Sequence, residues 1–201
     1  MSDKYESLIK EDLCSFFEDV DKLRDIKRYS IAPVNNPETV AEHSFFVATY
    51  VLKLYEYFKF DLQKALSLAL LHDFSEVFIS DVPHPIKKRV PALKTAIEQA
   101  EEAVNREMLS DTMADWLIEF NEGSSPEGRA AALADVLSVV SYTKHELILG
   151  NSDYMKQVYD KTVSRYIEAV NNMKDDLREG KTTQEVIAAI INLFGKRAKW
   201  S

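Results

Sequence analysis

The chain has 201 residues, a length typical of one domain with a substantial core, and we expect a single domain over residues 1–201. Hydrophobic residues make up 46% of the chain, and five glycines and six prolines are few, so the composition argues against disorder and favours long helices. The formal net charge of −8 disfavours a broad surface for nucleic-acid polymers but permits a small pocket in which a few cations bind a small anion.

The sequence shows neither a membrane span nor an export signal. No apolar run approaches the roughly 18 residues that span a bilayer, and residues 1–6 lack the charged and then apolar layout of a signal peptide. We therefore expect a cytoplasmic protein with no membrane partner. Cys14 is the single cysteine, so an internal disulfide is excluded, and any bound metal needs histidine and carboxylate ligands.

Apolar residues recur at helical spacing along most of the chain, and no segment shows the alternation typical of a strand, so the sequence predicts an all-α fold. In chain order the predicted helices cover the first 25 or so residues and then about residues 39–58, 61–76, 92–109, 111–120, 126–150, 153–177 and 183–194. Residues 28–36 lack this spacing and predict a loop. Two prolines within residues 81–85 predict a rigid, non-helical loop after the third helix.

Local signals mark where several of these helices begin. Thr39 with Glu42, and Thr182 with Glu185, have the spacing of a capping box, in which two side chains satisfy free backbone N–H groups at a helix start. Asp61 precedes the third helix, where its carboxylate can accept from another such group. These signals predict the entry points of three helices independently of their apolar spacing.

Four polar residues interrupt the predicted apolar faces: His43, His72, Asp73 and Asp135. A buried polar group is costly unless it is paired or binds a metal, and no cation lies near Asp135 in the sequence. One divalent ion bound by two imidazoles and two carboxylates would satisfy all four residues. Each residue alone has a simpler interpretation, as a histidine satisfied within the core or as an aspartate in a buried ion pair or helix cap.

Short motifs surround these residues and extend beyond them: Arg28-Tyr29, Asn36 to His43, Leu71 to Glu76, Asp81 to Lys87, and Ala134 to Leu137. A histidine, an adjacent His-Asp pair and a later aspartate, each on a predicted helix, resemble the HD-domain phosphohydrolase superfamily. Within it, the likeness over about residues 28–147 is to the 5′-deoxynucleotidases, bacterial enzymes that remove phosphate from deoxynucleoside 5′-monophosphates. The resemblance implies an HD-domain helical bundle and a small nucleotide as substrate.

The resemblance also implies that the four polar residues bind the metal, in agreement with the argument from burial. It implies one ion per site and does not distinguish cobalt, manganese, zinc, nickel or iron. Glu76 follows His72 by four residues and Asp73 by three, which predicts a carboxylate on the metal-facing side of the same helix, where it can orient or deprotonate a water. The matching glutamate has that catalytic role in the resembling enzymes. A two-metal site is not expected, because Glu76-Val77 lacks the second acid of two-metal relatives.

Further roles follow from the resemblance alone. The residues that match Arg28 and Lys87 contact phosphate, and the residue that matches Asp81 lies by the sugar, where a carboxylate can accept from a 3′-hydroxyl. Without the resemblance, Arg28 would be a loop cation, Lys87 part of a surface basic run, and Asp81 a turn-forming residue. Tyr29 departs from the family, because the enzymes have tryptophan there; a smaller aromatic face is expected to alter selection of base and sugar.

Two other functions remain compatible with these motifs. A dNTP triphosphohydrolase of the same fold would use the same metal ligands, and pocket depth would separate it from a nucleotidase. A helical binding module that keeps a metal only for stability has no need of Glu76, Arg28 and Asp81. By analogy with dimeric relatives we expect a homodimer, which aromatic residues of the last helices could pair: Tyr154, Tyr159, Tyr166, Phe194 and Trp200.

Overall fold

Helices form nearly all of the regular structure in the described part of the chain, which in this computed structural model is residues 11–188, with only the backbone described for residues 11–14. The helices are α1 (Glu11–Lys22), α2 (Val40–Leu54), α3 (Leu62–Leu71), α4 (Glu76–Ile79), α5 (His84–Arg89), α6 (Pro91–Met108), α7 (Asp111–Glu122), α8 (Pro126–Ile148) and α9 (Tyr154–Asn172), followed by a 3₁₀ turn (Lys174–Asp176). Residues 183–188 are also helical. Residues 11–188 contain no strand, so the predicted all-α class is confirmed.

Helix α8 forms the centre of the bundle. Helices α2, α3, α7 and α9 all pack against it, and its buried residues include Leu133, Leu137 and Val140. Small residues allow the close approach of its neighbours: a Cβ at Gly128 would lie 3.0 Å from the backbone of Glu119 and Phe120 in α7. Because such a contact would force the two helices apart, glycine is required at that position.

The caps predicted from the sequence are present. Thr39 and Glu42 form a complete capping box at the start of α2, and Asp61 accepts a hydrogen bond from the backbone of Lys64 at the start of α3. Thr182 and Glu185 form the second box, with N–H to oxygen distances of 2.9 and 3.2 Å. Local sequence therefore sets where these helices begin.

Several predicted helix ends were wrong. The second helix was expected to reach residue 58 but ends at Leu54, and Phe58 is buried beyond that end. The third helix ends at Leu71, and residues 72–75 form turns before the short helix α4. The proline loop is shorter than expected, because α5 already begins at His84. Pro85 is tolerated in its first turn, where a backbone N–H has no helical partner.

The C-terminal predictions were only partly testable. The helix expected to reach residue 177 ends at Asn172. Tyr166 is buried and donates its hydroxyl to the carbonyl of Val186, so it is not available to pair two subunits. Phe194, Trp200 and the side chain of Cys14 lie outside the described residues, and the homodimer stays a prediction. No described helix is both long and apolar enough to cross a membrane.

Candidate metal centre and active site

The four residues predicted as metal ligands lie together where α2, the end of α3 and α8 meet. His43 Nε2 lies 3.3 Å from His72 Nε2 and 3.1 Å from Asp135 Oδ1. Asp73 Oδ2 lies 3.3 Å from His72 Nε2 and 3.8 Å from His43 Nε2. One atom each of His43, His72 and Asp135 lies within 4.8 Å of the other two. The structure thus brings all four residues to one point.

The depth of the four side chains differs. His43 is fully buried and the His72 side chain is 4% exposed, whereas those of Asp73 and Asp135 are 21% and 28% exposed. Asp135 is therefore partly buried, with one side of its carboxylate open to solvent. The two imidazoles form the floor of the site and the two carboxylates face its opening, which leaves a side from which a ligand can enter.

The hydrogen bonding of His72 fixes which of its nitrogens can bind a metal. Its Nδ1 lies 3.0 Å from the carbonyl oxygen of Ala69, and because a carbonyl only accepts, Nδ1 must donate. The lone pair is then on Nε2, which points into the cluster. His43 has no such bond, because its Nδ1 lacks a hydrogen-bond partner among the described residues.

The charges of the cluster favour a cation. Burial opposes a charge on His72, but the carboxylates of Asp73 and Asp135 outweigh it and raise its pKa to about 9. The pKa of His43 is lowered, first by burial and then by Arg28. A site that draws a proton onto one of two facing imidazoles attracts positive charge, and a divalent ion can replace that proton.

The residues fit a divalent metal. Metal-nitrogen bonds of about 2.0–2.1 Å place two ligand nitrogens of one ion roughly 3.0–3.4 Å apart, and the two Nε2 atoms are 3.3 Å apart. Without an ion, one of these nitrogens can donate to the other; with an ion, both lone pairs can bind it at the same spacing. Mixed imidazole and carboxylate ligands suit several first-row metals, so the donor set does not choose among them.

Arg28 lies against the cluster. Its Nη1 donates to Asp73 Oδ2 at 2.8 Å, and its side chain is 14% exposed. Burial opposes its charge, but the carboxylates of Asp73 and Asp135 outweigh burial and raise the pKa of the guanidinium above its usual value. A permanently charged fork beside the metal ligands is suited to bind a phosphate.

The sequence predicted that Glu76 lies on the same helix as His72 and Asp73, and this was wrong. Glu76 is instead the first residue of the separate short helix α4. It is buried, and its Oε2 has no hydrogen-bond partner among the described residues. Burial and the nearby carboxylates of Asp73 and Asp81 raise its pKa to about 9. A cation at the cluster would offset these negative neighbours and favour the ionised form, which can accept a proton.

Asp81 and Tyr29 join two loops at the edge of the site. Asp81 Oδ2 accepts from the backbone N–H of Tyr29 at 3.2 Å. Tyr29 has φ of +58°, a conformation that is strained for a residue with a bulky side chain. Its ring stacks on that of Tyr142, with centroids 5.0 Å apart, and the Tyr142 hydroxyl donates to the carbonyl of Asn36. These contacts hold the aromatic face in place.

Lys87 lies on α5, where its Nζ is 3.7 Å from Glu101 Oε1 on α6. This ion pair is with Glu101 and not with one of the four clustered residues, so the predicted role of Lys87 at the phosphate stays a prediction. His84 is exposed at the start of α5.

Sequence reasoning missed three residues that complete the site. Glu38 is buried beside Arg28 and His43, and Glu146 is buried where it binds the loop that carries Arg28. Tyr142 follows Asp135 by seven residues, or about two helical turns, so its place on the same face of α8 was a usable signal. Glu38 lies inside a motif already noted, but the adjacent capping box explained only Glu42.

Comparisons with known proteins agree on one family. Residues 15–185 match the model of a family described as 5′-deoxynucleotidase YfbR-like. A 5′-deoxynucleotidase of Pasteurella multocida is 28% identical over 151 residues, which cover 69% of this chain and 77% of that protein. The sequence match therefore spans most of both chains.

Solved structures share the fold. A conserved hypothetical protein of Pyrococcus furiosus superposes with a TM-score of 0.72 at 23% identity, covering 89% of this chain and 99% of that one. An HD phosphohydrolase of cyanophage S-2L, bound to dA and one catalytic Zn²⁺ ion, superposes with a TM-score of 0.61 at 18% identity. That superposition covers 90% of this chain and 96% of the phage protein.

Proposed function

The chain belongs to the YfbR-like 5′-deoxynucleotidase family, and we propose that it removes the 5′-phosphate from deoxynucleoside 5′-monophosphates in a reaction that needs a divalent metal. The observation that carries the proposal is the convergence of the four predicted ligands: His43 Nε2 lies 3.1–3.8 Å from a nitrogen or oxygen of each of His72, Asp73 and Asp135, and the partly buried Arg28 lies beside them. The HD-domain resemblance seen in the sequence is thereby confirmed.

The metal would be held by His43 Nε2, His72 Nε2 and the carboxylates of Asp73 and Asp135. When bound, it would polarise the phosphate ester and acidify water. The one zinc ion in the cyanophage relative supports a single-ion site.

The protein groups around the metal ligands divide the remaining work. Arg28 binds and neutralises phosphate oxygens through the guanidinium N–H groups that Asp73 leaves free. Glu76 accepts the proton of the attacking water on its unpaired Oε2. Lys87 would add a second positive charge at the phosphate if it leaves Glu101. Glu76, as a proton acceptor, distinguishes this site from a metal site that only stabilises a fold.

The sugar and base would lie at the edge formed by Asp81 and Tyr29. One oxygen of Asp81 is used by the Tyr29 N–H, and the other can accept from a 3′-hydroxyl. The Tyr29 ring, supported by Tyr142, offers an aromatic face to the nucleoside. The dA bound to the cyanophage relative supports a deoxynucleoside as part of the substrate.

The test is an assay of phosphate release from dAMP, AMP and dATP by chelator-treated protein to which Zn²⁺, Mn²⁺ or Co²⁺ is returned. We expect orthophosphate from dAMP only when a divalent ion is present. Release of triphosphate from dATP, with dAMP untouched, would assign the triphosphohydrolase activity instead. Metal binding without any hydrolysis would identify a metal-stabilised binding module.

A further inference from the structure

Two buried nitrogen atoms beside the candidate metal centre have no hydrogen-bond partner among the described residues. They are Arg28 Nε and His43 Nδ1, on two residues that the proposed function already uses. Both lie near the same atom: Glu38 Oε2 is 3.5 Å from Arg28 Nε and 3.8 Å from His43 Nδ1. One carboxylate oxygen thus faces two unsatisfied donors.

The backbone places Glu38 there. The carbonyl of Glu38 accepts from the N–H of Arg28 at 2.9 Å, and Lys27 pairs with Thr39 in an isolated bridge. Thr39 then caps α2, which carries His43 one turn later. Glu38 is therefore held at the junction of the Arg28 loop and the His43 helix, and it is only 7% exposed.

A buried carboxylate needs partners, and these two nitrogens lie within 3.8 Å of Glu38 Oε2. The distances exceed the usual 2.7–3.2 Å of a hydrogen bond, so a shift of about 1 Å would bring Oε2 into range of both nitrogens. Hydrogen bonds of this kind are often long before the site is filled and shorten in the occupied site.

The two histidines of the cluster differ in how they are oriented. Nδ1 of His72 donates to the backbone carbonyl of Ala69, which fixes that ring. The acidic neighbours Asp73 and Asp135 face Nε2 of His43, and only Glu38 faces its Nδ1 among the acidic residues that the structure describes. Glu38 therefore lies beside Nδ1 of His43, as the Ala69 carbonyl lies beside Nδ1 of His72.

We propose that Glu38 is a positioning residue that holds His43 with Nε2 toward the metal while it anchors Arg28 beside the phosphate. The inference rests on the proposed metal site. A carboxylate that accepts from the distal N–H of a ligand histidine fixes its tautomer and orientation and makes it a better donor to the metal. The same charge holds the Nε edge of Arg28 and leaves the other guanidinium nitrogens for Asp73 and substrate.

The test measures Zn²⁺ affinity of the metal-free protein by competition with a chromophoric chelator, for wild type, Glu38→Gln and Glu38→Ala. Glu42→Gln is the matched control, because the substitution removes one carboxylate from the same helix start. The Glu42 side chain accepts from the backbone N–H of Thr39 and is not part of the cluster. Glutamine keeps an acceptor oxygen without its charge. We expect affinity to fall about tenfold for Glu38→Gln and up to about 100-fold for Glu38→Ala, while the control stays within about twofold.

Activity gives a second reading. Because the defect lies in metal affinity, excess Zn²⁺ should restore most of the kcat of Glu38→Gln on dAMP, whereas a raised KM should persist through the loosened Arg28. Glu38 variants that bind Zn²⁺ as tightly as Glu42→Gln would overturn the inference and leave the proposed function standing. If Glu38→Ala does not fold, Glu38→Gln alone decides. A wild type that binds none of Zn²⁺, Mn²⁺ and Co²⁺ would instead overturn the proposed function.

Discussion

At the scale of single residues, the site places two carboxylates with different tasks a few residues apart. Asp73 is paired with Arg28, and its pKa is held below the usual value because His72 and Arg28 outweigh the effect of burial. Glu76 forms no ion pair with a cation in the part of the chain that the structure describes, and burial with like charges nearby raises its pKa to about 9. Environments that push the pKa values of two carboxylates apart in this way suit one of them to bind a cation and the other to accept a proton.

Glu76→Gln should separate chemistry from binding. The amide keeps the size of the side chain but cannot accept the proton of water, so kcat on dAMP should fall about 10²–10⁴-fold. Zn²⁺ affinity should stay near that of wild type, because Glu76 is not one of the four proposed ligands, His43, His72, Asp73 and Asp135. Steady-state kinetics and the chelator competition measure both quantities. An unchanged kcat would remove Glu76 from the mechanism.

Asp81 is expected to favour deoxynucleotides over ribonucleotides. If its free oxygen accepts from the 3′-hydroxyl, an added 2′-hydroxyl must crowd that contact or compete for it. Asp81→Ala should therefore lose more kcat/KM on dAMP than on AMP, and narrow their ratio about tenfold.

Asp81→Asn controls for the second task of this residue, because its amide oxygen can still accept from the Tyr29 N–H. It should leave the Arg28 loop in place and reduce the ratio less than alanine does. Equal losses on dAMP and AMP in both variants would mean that Asp81 only joins the two loops. A wild type that prefers AMP would contradict the deoxynucleotide preference itself.

At the scale of helices and loops, the largest error of sequence reasoning has a functional cause. Consecutive residues of a regular helix point about 100° apart, so turns after α3 make it easier for the side chains of residues 72 and 73 to reach one ion. The chain leaves α3 at Leu71, and the turns that follow bring His72 Nε2 and Asp73 Oδ2 within 3.3 Å. Apolar spacing continued across this point and gave no sign of the break.

The helix starts and the four clustered residues were predictable because their signals are local: a cap spacing, or a polar residue on an apolar face. Glu38 was not, since its neighbours Arg28 and His43 come from two elements that meet only after folding. Glu146 escaped for the same reason, because its partners lie more than 100 residues earlier. Long-range contacts of this kind leave no spacing in the sequence.

The loop that carries Arg28 is anchored by Glu146. Its carboxylate is fully buried and accepts from the N–H groups of Asn35 and Asn36 at 2.7 and 2.8 Å and from the side chain of Asn151 at 3.0 Å. Burial opposes ionisation of Glu146, but these donors outweigh it and lower its pKa. An anchor of this strength at one end of the loop supports Arg28 at the other.

Glu146→Gln should loosen that loop, because its NH₂ group must face a backbone N–H. We expect a loss of about 2 kcal/mol in the free energy of unfolding at neutral pH, with a raised KM for dAMP. Since the folded pKa is lowered, the contribution of the carboxylate is complete above the unfolded value of about 4.3 and is lost as pH falls through the folded value. Urea unfolding of both proteins at pH 7 and below pH 4 measures this. A difference that persists unchanged in acid would contradict the assignment.

At the scale of the whole molecule, one face of α8 organises the site. Asp135, Tyr142 and Glu146 are spaced by seven and four residues, so they lie along one side of the central helix. They contact the metal cluster, the Tyr29 ring and the Arg28 loop in turn. The metal would therefore link α2, the turn after α3 and α8, three segments separated by long stretches of chain.

Binding of the metal should stabilise the whole fold, because the ligands converge only in the folded state. An ion at 100 times its dissociation constant contributes about 2.7 kcal/mol, which for a chain of this length raises Tm by roughly 5–10 °C. Calorimetry of chelator-treated protein with and without Zn²⁺ measures the shift. Asp135→Ala should stay helical by circular dichroism and show no shift, since a ligand is lost, whereas Glu76→Gln should shift as wild type does. If Asp135→Ala bound a full equivalent of zinc and its Tm rose as much as that of wild type, Asp135 would not be a metal ligand.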